Sequence, residues 1–510
     1  MSVRKASTQW AFLALLVLLV LTILLRFFHL DARTIHIDEG MGLRYAQMLI
    51  DGEWRYNPFN SHGPIYFFFG SFLYGTFGDN LVAARAATSA VSVLSLLLLL
   101  GGYRKLLSAP GRILLITGLG LSSGMAFYAR YFIHEHIFIF VTVACLLAAE
   151  SWVQRRDKFA PVMFILLSFI LYATKETALI TWAAWGSAGV LMLANPKRQS
   201  LIADLPWKAV GIAIIAGLLL HAVLFTVFFT NPDAFVQSFL GPLGWHQRAQ
   251  TFHHQPFLYF IQLLWRNEFP LFFGAIVLAR LLSVRKKWTP RLKFFGLWTV
   301  FITLGYSLIQ YKTPWCIPNI ILPLGLFVAF AFDALMKDER KSKQNRKLTI
   351  FLSILLIAGF ANAWYENIKI PDRVEKYDYA YLQGDYSLRK FTQTMEDVSN
   401  IYEGQKPMPM QRIGQIDELL YILSKPYRAY DTSEGIQLGL PLYINYQHDD
   451  KETLSILKQS GKNYIRSTYT YMRDPGIIVD LFVEEDLWNK YITGKGEKIF
   501  PGKNPVYDYR

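Results

Sequence analysis

Between residues 9 and 365 the chain alternates long apolar runs with short polar breaks. The runs fall near 9–29, 81–101, 112–129, 135–153, 159–174, 177–194, 207–229, 268–284, 293–310, 315–334 and 348–365. Most hold enough apolar residues in succession to cross a hydrocarbon core of about 30 Å as a helix. The pattern predicts an all-α polytopic membrane region of about eleven transmembrane helices over 1–365. One more apolar stretch, His62 to Gly78 (HGPIYFFFGSFLYGTFG), is short, aromatic and rich in glycine. It reads as an interfacial helix in a first outer loop over 30–80, with an extra span as the alternative.

Beyond residue 365 the period changes. Strand-like runs (QRIGQI, NYIRSTY, PVYDYR) alternate with helical ones (DELLYILS, KETLSILKQ, IIVDLFVEEDLWNKYI). This predicts a soluble α/β domain over 366–510. The sequence has no G-x-x-x-x-G-K-[ST], so ATP-driven transport has no support.

Charge follows the same division. Residues 1–365 hold 33 Lys and Arg against 16 Asp and Glu, a net of +17; residues 366–510 hold 19 against 22, a net of −3. A nucleic-acid binder would gather its positive charge on aromatic-interleaved soluble patches. Here it lies in loops between apolar runs, so the implied partner is the bilayer and not nucleic acid. Those loops carry Arg4-Lys5, Arg104-Lys105 with Arg112, Arg155-Arg156 with Lys158, Lys197-Arg198, Arg285-Lys286-Lys287 and the run Lys337 to Lys347. With the N-terminus in the cytoplasm every cluster falls on the inner side, as the positive-inside rule requires. An odd number of spans then places the C-terminal domain outside the cell membrane. The start resembles a secretory signal, but its apolar run is too long and ends in Arg26-Phe-Phe-His29, so an uncleaved first span is expected. Cys145 and Cys316 fall in or beside apolar runs and read as core residues, not as a disulfide or a zinc site.

The opposite face collects mixed charges, histidines and aromatics at span ends. Asp38-Glu39 follows the first span by about ten residues. A carboxylate at that boundary can take the proton of an attacking hydroxyl; the alternative is a helix N-cap before GLRYAQMLIDG. Glu135 opens a later span as a second acid able to orient an acceptor or a metal, or else as an interfacial anchor. His134 and His136 flank it at i and i+2, which face apart on a helix, and no H-E-x-x-H spacing supports zinc there. A divalent metal stays open, and no other cofactor is called for. Lys175, Arg130, Lys312 and Arg44 supply cations for a phosphate leaving group, although Lys175 also reads as a snorkelling lysine paired with Glu176. In the loop GWHQRAQTFHHQP, Trp245, Gln247, Arg248, His253, His254 and Gln255 offer stacking and hydrogen bonds to a sugar, or merely solubility.

In this order the motifs resemble the GT-C superfamily of lipid-dependent membrane glycosyltransferases, which includes protein O-mannosyltransferases and the aminoarabinose transferases of lipid A. They are HIDEG in the first loop, HGP before an aromatic helix, RYFIHE at a span start and TKE between spans. Within the superfamily the chain looks most like the flippase-activity-associated branch. That branch has a W-x-Q…Q-P-x-x-Y loop, matched by Trp245, Gln247, Gln255, Pro256 and Tyr259, and a Y-K-T-P-W segment, matched by Tyr311 to Trp315. The resemblance covers roughly residues 1–365.

It implies an inverting transfer of a sugar from a polyprenyl-phosphate donor to a glycolipid, glycan or protein acceptor. Asp38 would be the general base with Glu39 in support, Glu135 the second acid, and Lys175 the cation near the donor phosphate. His62, Tyr259 and Trp315 join the substrate-binding candidates. His62-Gly63-Pro64 stands where the aminoarabinose transferases have K-P-P, so their sugar preference is not carried over. Two rival readings are a lipid-linked sugar flippase without bond chemistry and a non-catalytic membrane scaffold.

Overall fold

The structure, a computed structural model, describes residues 2–193, 200–248, 253–338, 341–369, 378–381, 384–414, 418–446, 450–472 and 476–494. The chain divides into two compact units: Met1–Leu30 with Tyr45–Pro371, and Asp31–Arg44 with Asp372–Arg510. Residues 31–44, expected in the first loop of the membrane region, therefore cluster with the C-terminal unit.

The helices of the first half are α1 (Ser2–Phe27), α2 (Ile37–Asp51), α3 (Pro64–Phe77), α4 (Leu81–Gly102), α5 (Ala109–Leu115), α6 (Ser123–Ala129), α7 (Glu135–Arg155), α8 (Ala160–Thr174), α9 (Ala178–Leu193) and the single turn α10 (Ser200–Ala203). There follow α11 (Trp207–Phe225), α12 (Asp233–Arg248), α13 (Tyr259–Asn267), α14 (Phe269–Val284), α15 (Pro290–Leu308), α16 (Pro318–Met336) and α17 (Ser342–Trp364). Each expected apolar run falls on helix. Among the described residues, six helices are long and apolar enough to cross a membrane, or eight if two bent pairs each form one span. The shortfall from eleven lies partly in α8 and α9, which have 15 and 16 residues and reach only about 22–24 Å. At 14 residues α3 is shorter still, so the extra-span alternative for His62–Gly78 falls.

The bends have identifiable supports. Between α5 and α6 lies a π-helical turn, Ile116–Gly120, and the pair bends by 55°. A broken helix in lipid needs partners for its freed carbonyls. Arg26, buried near the end of α1, supplies them: its guanidinium donates to the carbonyls of Gly120 and Leu119, and its Nε to Ser92 Oγ at 2.9 Å. Glu268, at the 98° bend between α13 and α14, accepts from the Gly124 amide at the start of α6.

The second unit holds a five-stranded sheet in the order β2-β1-β3-β5-β4, with β1 (Pro409–Gly414), β2 (Arg428–Asp431), β3 (Leu442–Tyr446), β4 (Tyr464–Met472) and β5 (Ile477–Glu484). β1 runs parallel to β2 and β3, whereas β5 is antiparallel to β3 and β4. The unit's helices are α18 (Tyr386–Ile401), α19 (Glu418–Ser424), α20 (Asp450–Gln459) and α21 (Glu485–Gly494). Ile413, Tyr443, Ile456, Leu457 and Phe482 form its core cluster.

An α/β unit was expected here, but one element is corrected. IIVDLFVEEDLWNKYI reads as one helix, yet its first half is β5 and only its second half is α21. The β-branched and aromatic residues of IIVDLFVE pack between two neighbouring strands, and that burial overrides the helical period. PVYDYR lies outside the described residues.

Candidate active site

The acidic pair of the first loop opens α2, and its two carboxylates have different fates. The helix begins at Ile37, five residues before the expected GLRYAQMLIDG. Glu39 is fully buried, and its Oε2 accepts the His36 backbone N–H at 3.0 Å. An acid three residues into a helix reaching back to the N-cap amide is one half of a capping box. The capping role considered for Asp38 thus falls to Glu39. Asp38 keeps a side chain 34% exposed, its backbone N–H donating to His36 Nδ1 at 3.0 Å. That bond leaves the proton of the buried His36 ring on Nε2, which donates to the Tyr381 carbonyl at 2.8 Å. The ring nitrogen Nδ1 stands 3.9 Å from Asp38 Oδ2.

The segment before α2 is pinned by residues some 350 positions away. Thr34 Oγ1 donates to the Gly384 carbonyl, the Gly384 amide to the Ile35 carbonyl, and Arg389 to the carbonyls of Asp31 and Ala32. Arg44, on the next turns of α2, lies over the Tyr421 ring at 3.9 Å, and the same ring receives Arg412 at 5.0 Å.

In the first unit, two candidates expected to act separately meet each other. Glu135, fully buried at the start of α7, accepts from Lys175 Nζ just beyond α8. Asn319 of α16 donates to the other carboxylate oxygen at 3.2 Å, and His134 Nε2 lies 3.5 Å from Oε1. Lys175 also reaches Cys316 Sγ at 3.9 Å, and Thr313 Oγ1 lies 3.6 Å from the same sulfur. Burial, with Lys175 and His62 nearby, brings His134 down to about 4, so its imidazole is neutral at pH 7.

HGP explains itself sterically. His62 Nδ1 bonds Glu176 at 2.9 Å, and the His62 ring packs 4.4 Å from that of His134. Burial opposes the Glu176 carboxylate, but His62 and then Lys175 outweigh it and hold that group below the ordinary carboxylate range. A Cβ on Gly63 would lie 2.1 Å from the Ala173 carbonyl oxygen, so only glycine lets this loop approach the end of α8. Pro64 then occupies the first turn of α3. Beyond it the aromatics turn inward: Tyr66 and Phe67 are buried, and Tyr66 donates to the Phe132 carbonyl at 2.9 Å.

The two motif loops also join. The Lys312 amide donates to the His253 carbonyl at 3.0 Å and Lys312 Nζ to the Gln255 carbonyl at 3.1 Å; His254 and Tyr311 form an isolated antiparallel bridge. The His253 ring meets Tyr311 edge-on at 4.7 Å and Trp315 at 6.3 Å. Trp315 itself is buried in the 3₁₀ turn Pro314–Cys316. Gln247 and His254 are exposed, and Tyr259 opens α13. The side chains of Trp245 and Arg248 lie outside the described residues.

Near this junction an apolar cavity of about 860 Å³ runs along α15 from Lys293 to Ser307, with Phe257 and Trp288 among its lining. Arg130 is placed differently from the other cations. It is buried, and its guanidinium donates to the carbonyls of Leu25, Phe28 and His29 at 3.1, 2.7 and 2.8 Å, closing the end of α1. Among the described residues, no group of three or more His, Cys, Asp or Glu is arranged to hold a metal.

Sequence reading passed over Asn319 and gave His36 no role of its own. The first is signalled by one amide in an apolar run (PWCIPNI), the second by its place before the acidic pair. Gly384 and Arg389 carry no comparable signal.

The bent spans, the charged cluster at the helix ends and the mixed sheet define a multi-pass, mainly helical membrane protein with an appended α/β unit. In fold the chain is similar to crystal structures of ArnT from Cupriavidus metallidurans. One is bound to undecaprenyl phosphate, with TM-score 0.63 and 16% identity, and covers 93% of this chain and 98% of that one. The other, in the apo state, gives TM-score 0.59 and 15% identity over the same shares. No family model and no curated protein matches the sequence.

Proposed function

We propose that this protein is a glycosyltransferase that moves a sugar from a polyprenyl-phosphate donor to an acceptor hydroxyl, with inversion, on the non-cytoplasmic face of the cell membrane. The fold likeness to a protein crystallised with undecaprenyl phosphate carries this reading. The acceptor oxygen bonds to the anomeric carbon as the bond from that carbon to the phosphate oxygen breaks. The hydroxyl proton passes to Asp38, and polyprenyl phosphate leaves with one more negative charge.

Asp38 suits the base because its carboxylate is partly exposed while Glu39 is committed to the helix start. Glu135 serves as the second acid by holding Lys175. An ammonium has three donors, of which one goes to Glu135 and one points to Cys316, so the third is the one offered to phosphate. The apolar cavity along α15 suits an isoprenoid chain. The sugar would be held by the joined loops of His253 to Tyr259 and Tyr311 to Trp315, with His62 as a further contact. The basic-loop count supports a cytoplasmic N-terminus and an extracytoplasmic second unit.

The test uses purified protein in liposomes with a polyprenyl-phosphate sugar and extracted glycolipid or glycan acceptors. Asp38→Asn should lower transfer by about 10²–10⁴-fold, the range of a lost general base, while membrane insertion persists. Full activity of that variant would sink the mechanism.

One observation favours a second reading, a lipid-linked sugar flippase. Transporters place ionisable groups beside broken helices, and Arg26 and Glu268 both lie at bends. Passage of labelled lipid-linked sugar into liposomes without product would establish it.

A further inference from the structure

At the end of the first unit that carries its basic loops, residues of α14, of α17 and of the segment before α17 line a cavity of about 630 Å³. We propose that this cavity is a binding site for an anionic glycerophospholipid, distinct from any substrate site.

The cavity has the two-zone chemistry such a lipid requires. Its wall within the helices is apolar: Leu281 and Val284 from α14, Leu348 and Phe351 from α17. Its rim carries Arg285, Lys341 and Lys347 against one carboxylate, Asp338. That carboxylate already has Lys287 4.0 Å away. Arg285 is held in place without being neutralised. Its guanidinium donates to the side-chain amide oxygens of Asn345 at 2.8 Å and Gln344 at 3.1 Å. Asn345 is itself buried and oriented, donating to the carbonyls of Leu335 and Asp338 at 3.2 and 3.0 Å. A fixed guanidinium flanked by two exposed lysines, at the level where spans end, presents forked and mobile donors to a phosphate diester. The adjacent apolar wall takes an acyl chain. Basic pockets between membrane helices recognise anionic headgroups in this way.

The occupant is assigned by charge complementarity, not by the apolar wall alone. The larger cavity along α15 has only Lys293 among its charged lining, and so carries no comparable preference.

The test titrates the purified full-length protein, in a neutral detergent, with phosphatidylglycerol or phosphatidylcholine, read by native mass spectrometry. Phosphatidylglycerol should bind at least about tenfold more tightly than phosphatidylcholine. The double variant K341Q/K347Q should lose about 30-fold in that affinity, since each basic residue near a lipid headgroup contributes on the order of 1 kcal/mol. Both lysines are exposed, so an unchanged melting temperature in detergent serves as the folding control. If the double variant does not fold, R285Q alone is read the same way. Equal binding of the two lipids, or undiminished phosphatidylglycerol binding by a folded variant, would overturn the site. Glycerol phosphate binding as tightly as the whole lipid would overturn the lipid assignment, because the apolar wall would then contribute nothing.

Discussion

Asp38 and Glu135 are both acids at helix starts, yet the chain treats them in opposite ways. Asp38 belongs to the second unit, where backbone hydrogen bonds to His36 and a capping bond to Glu39 fix the turn and leave its own carboxylate one-third exposed. Glu135 belongs to the first unit and has no exposure at all, its charge matched by Lys175 and its second oxygen satisfied by Asn319. The difference teaches how to assign work to carboxylates. A base must receive a proton from outside and therefore needs access. A buried, paired carboxylate holds another group in place, and its value is lost when the partner goes.

The comparison can be broken most forcefully at Lys175. Lys175→Met would strand a buried carboxylate, and the loss of one partner of such a pair costs about 3–5 kcal/mol. Thermal unfolding in detergent should show it as a large drop. Glu135→Gln added to that variant should restore much of the loss, because the neutral amide needs no counter-charge. If the double variant were no more stable than Lys175→Met alone, the pair would not be the reason.

A smaller effect is expected where the HGP loop packs against α8. Gly63→Ala drives a methyl into the Ala173 carbonyl, and overpacking of this kind costs about 1–3 kcal/mol. It should also separate His62 from Glu176. A melting temperature equal to the wild type's would show that the loop yields freely.

The smallest effect sharpens the division within the acidic pair. Glu39→Ala should lose the capping bond, about 1 kcal/mol, whereas Glu39→Gln keeps an acceptor oxygen and should lose much less. Transfer should survive both changes to within several-fold. A loss by Glu39→Gln as deep as that expected of Asp38→Asn would erase the distinction between the two residues.

Much of the frame was legible in the residues. Apolar runs marked the long helices of the membrane region, because a span must satisfy its own backbone and so writes itself as one continuous segment, whereas α10, α12 and α13 fall outside those runs. Single residues of the candidate site were legible by type: Glu135, Lys175, His62 and the YKTPW turn stand out as polar groups at the ends of apolar runs. The partnerships were not. Glu135 with Lys175, His62 with Glu176, and the 253–255 loop with 311–312 join segments 40, 114 and 57 residues apart, and nothing local specifies which end meets which. The same limit hid β5, whose helix-like period was overruled by strands on both sides, and Arg130, whose charge is taken up by the end of α1.

The sequence by itself determined a polytopic helical chain followed by an α/β unit, because hydrophobic length and period are local properties. Only the tertiary structure decided where the acidic segment belongs. Residues 31–44 lie beside the membrane region in sequence, but Gly384 and Arg389 hold their backbone, and the Tyr381 carbonyl the His36 ring, within the second unit. Those bonds close a loop of some 350 residues, and contacts made at that separation leave no period in either segment. The result is that the second unit, whose role was open in the sequence, holds Asp38, the base of the proposed mechanism.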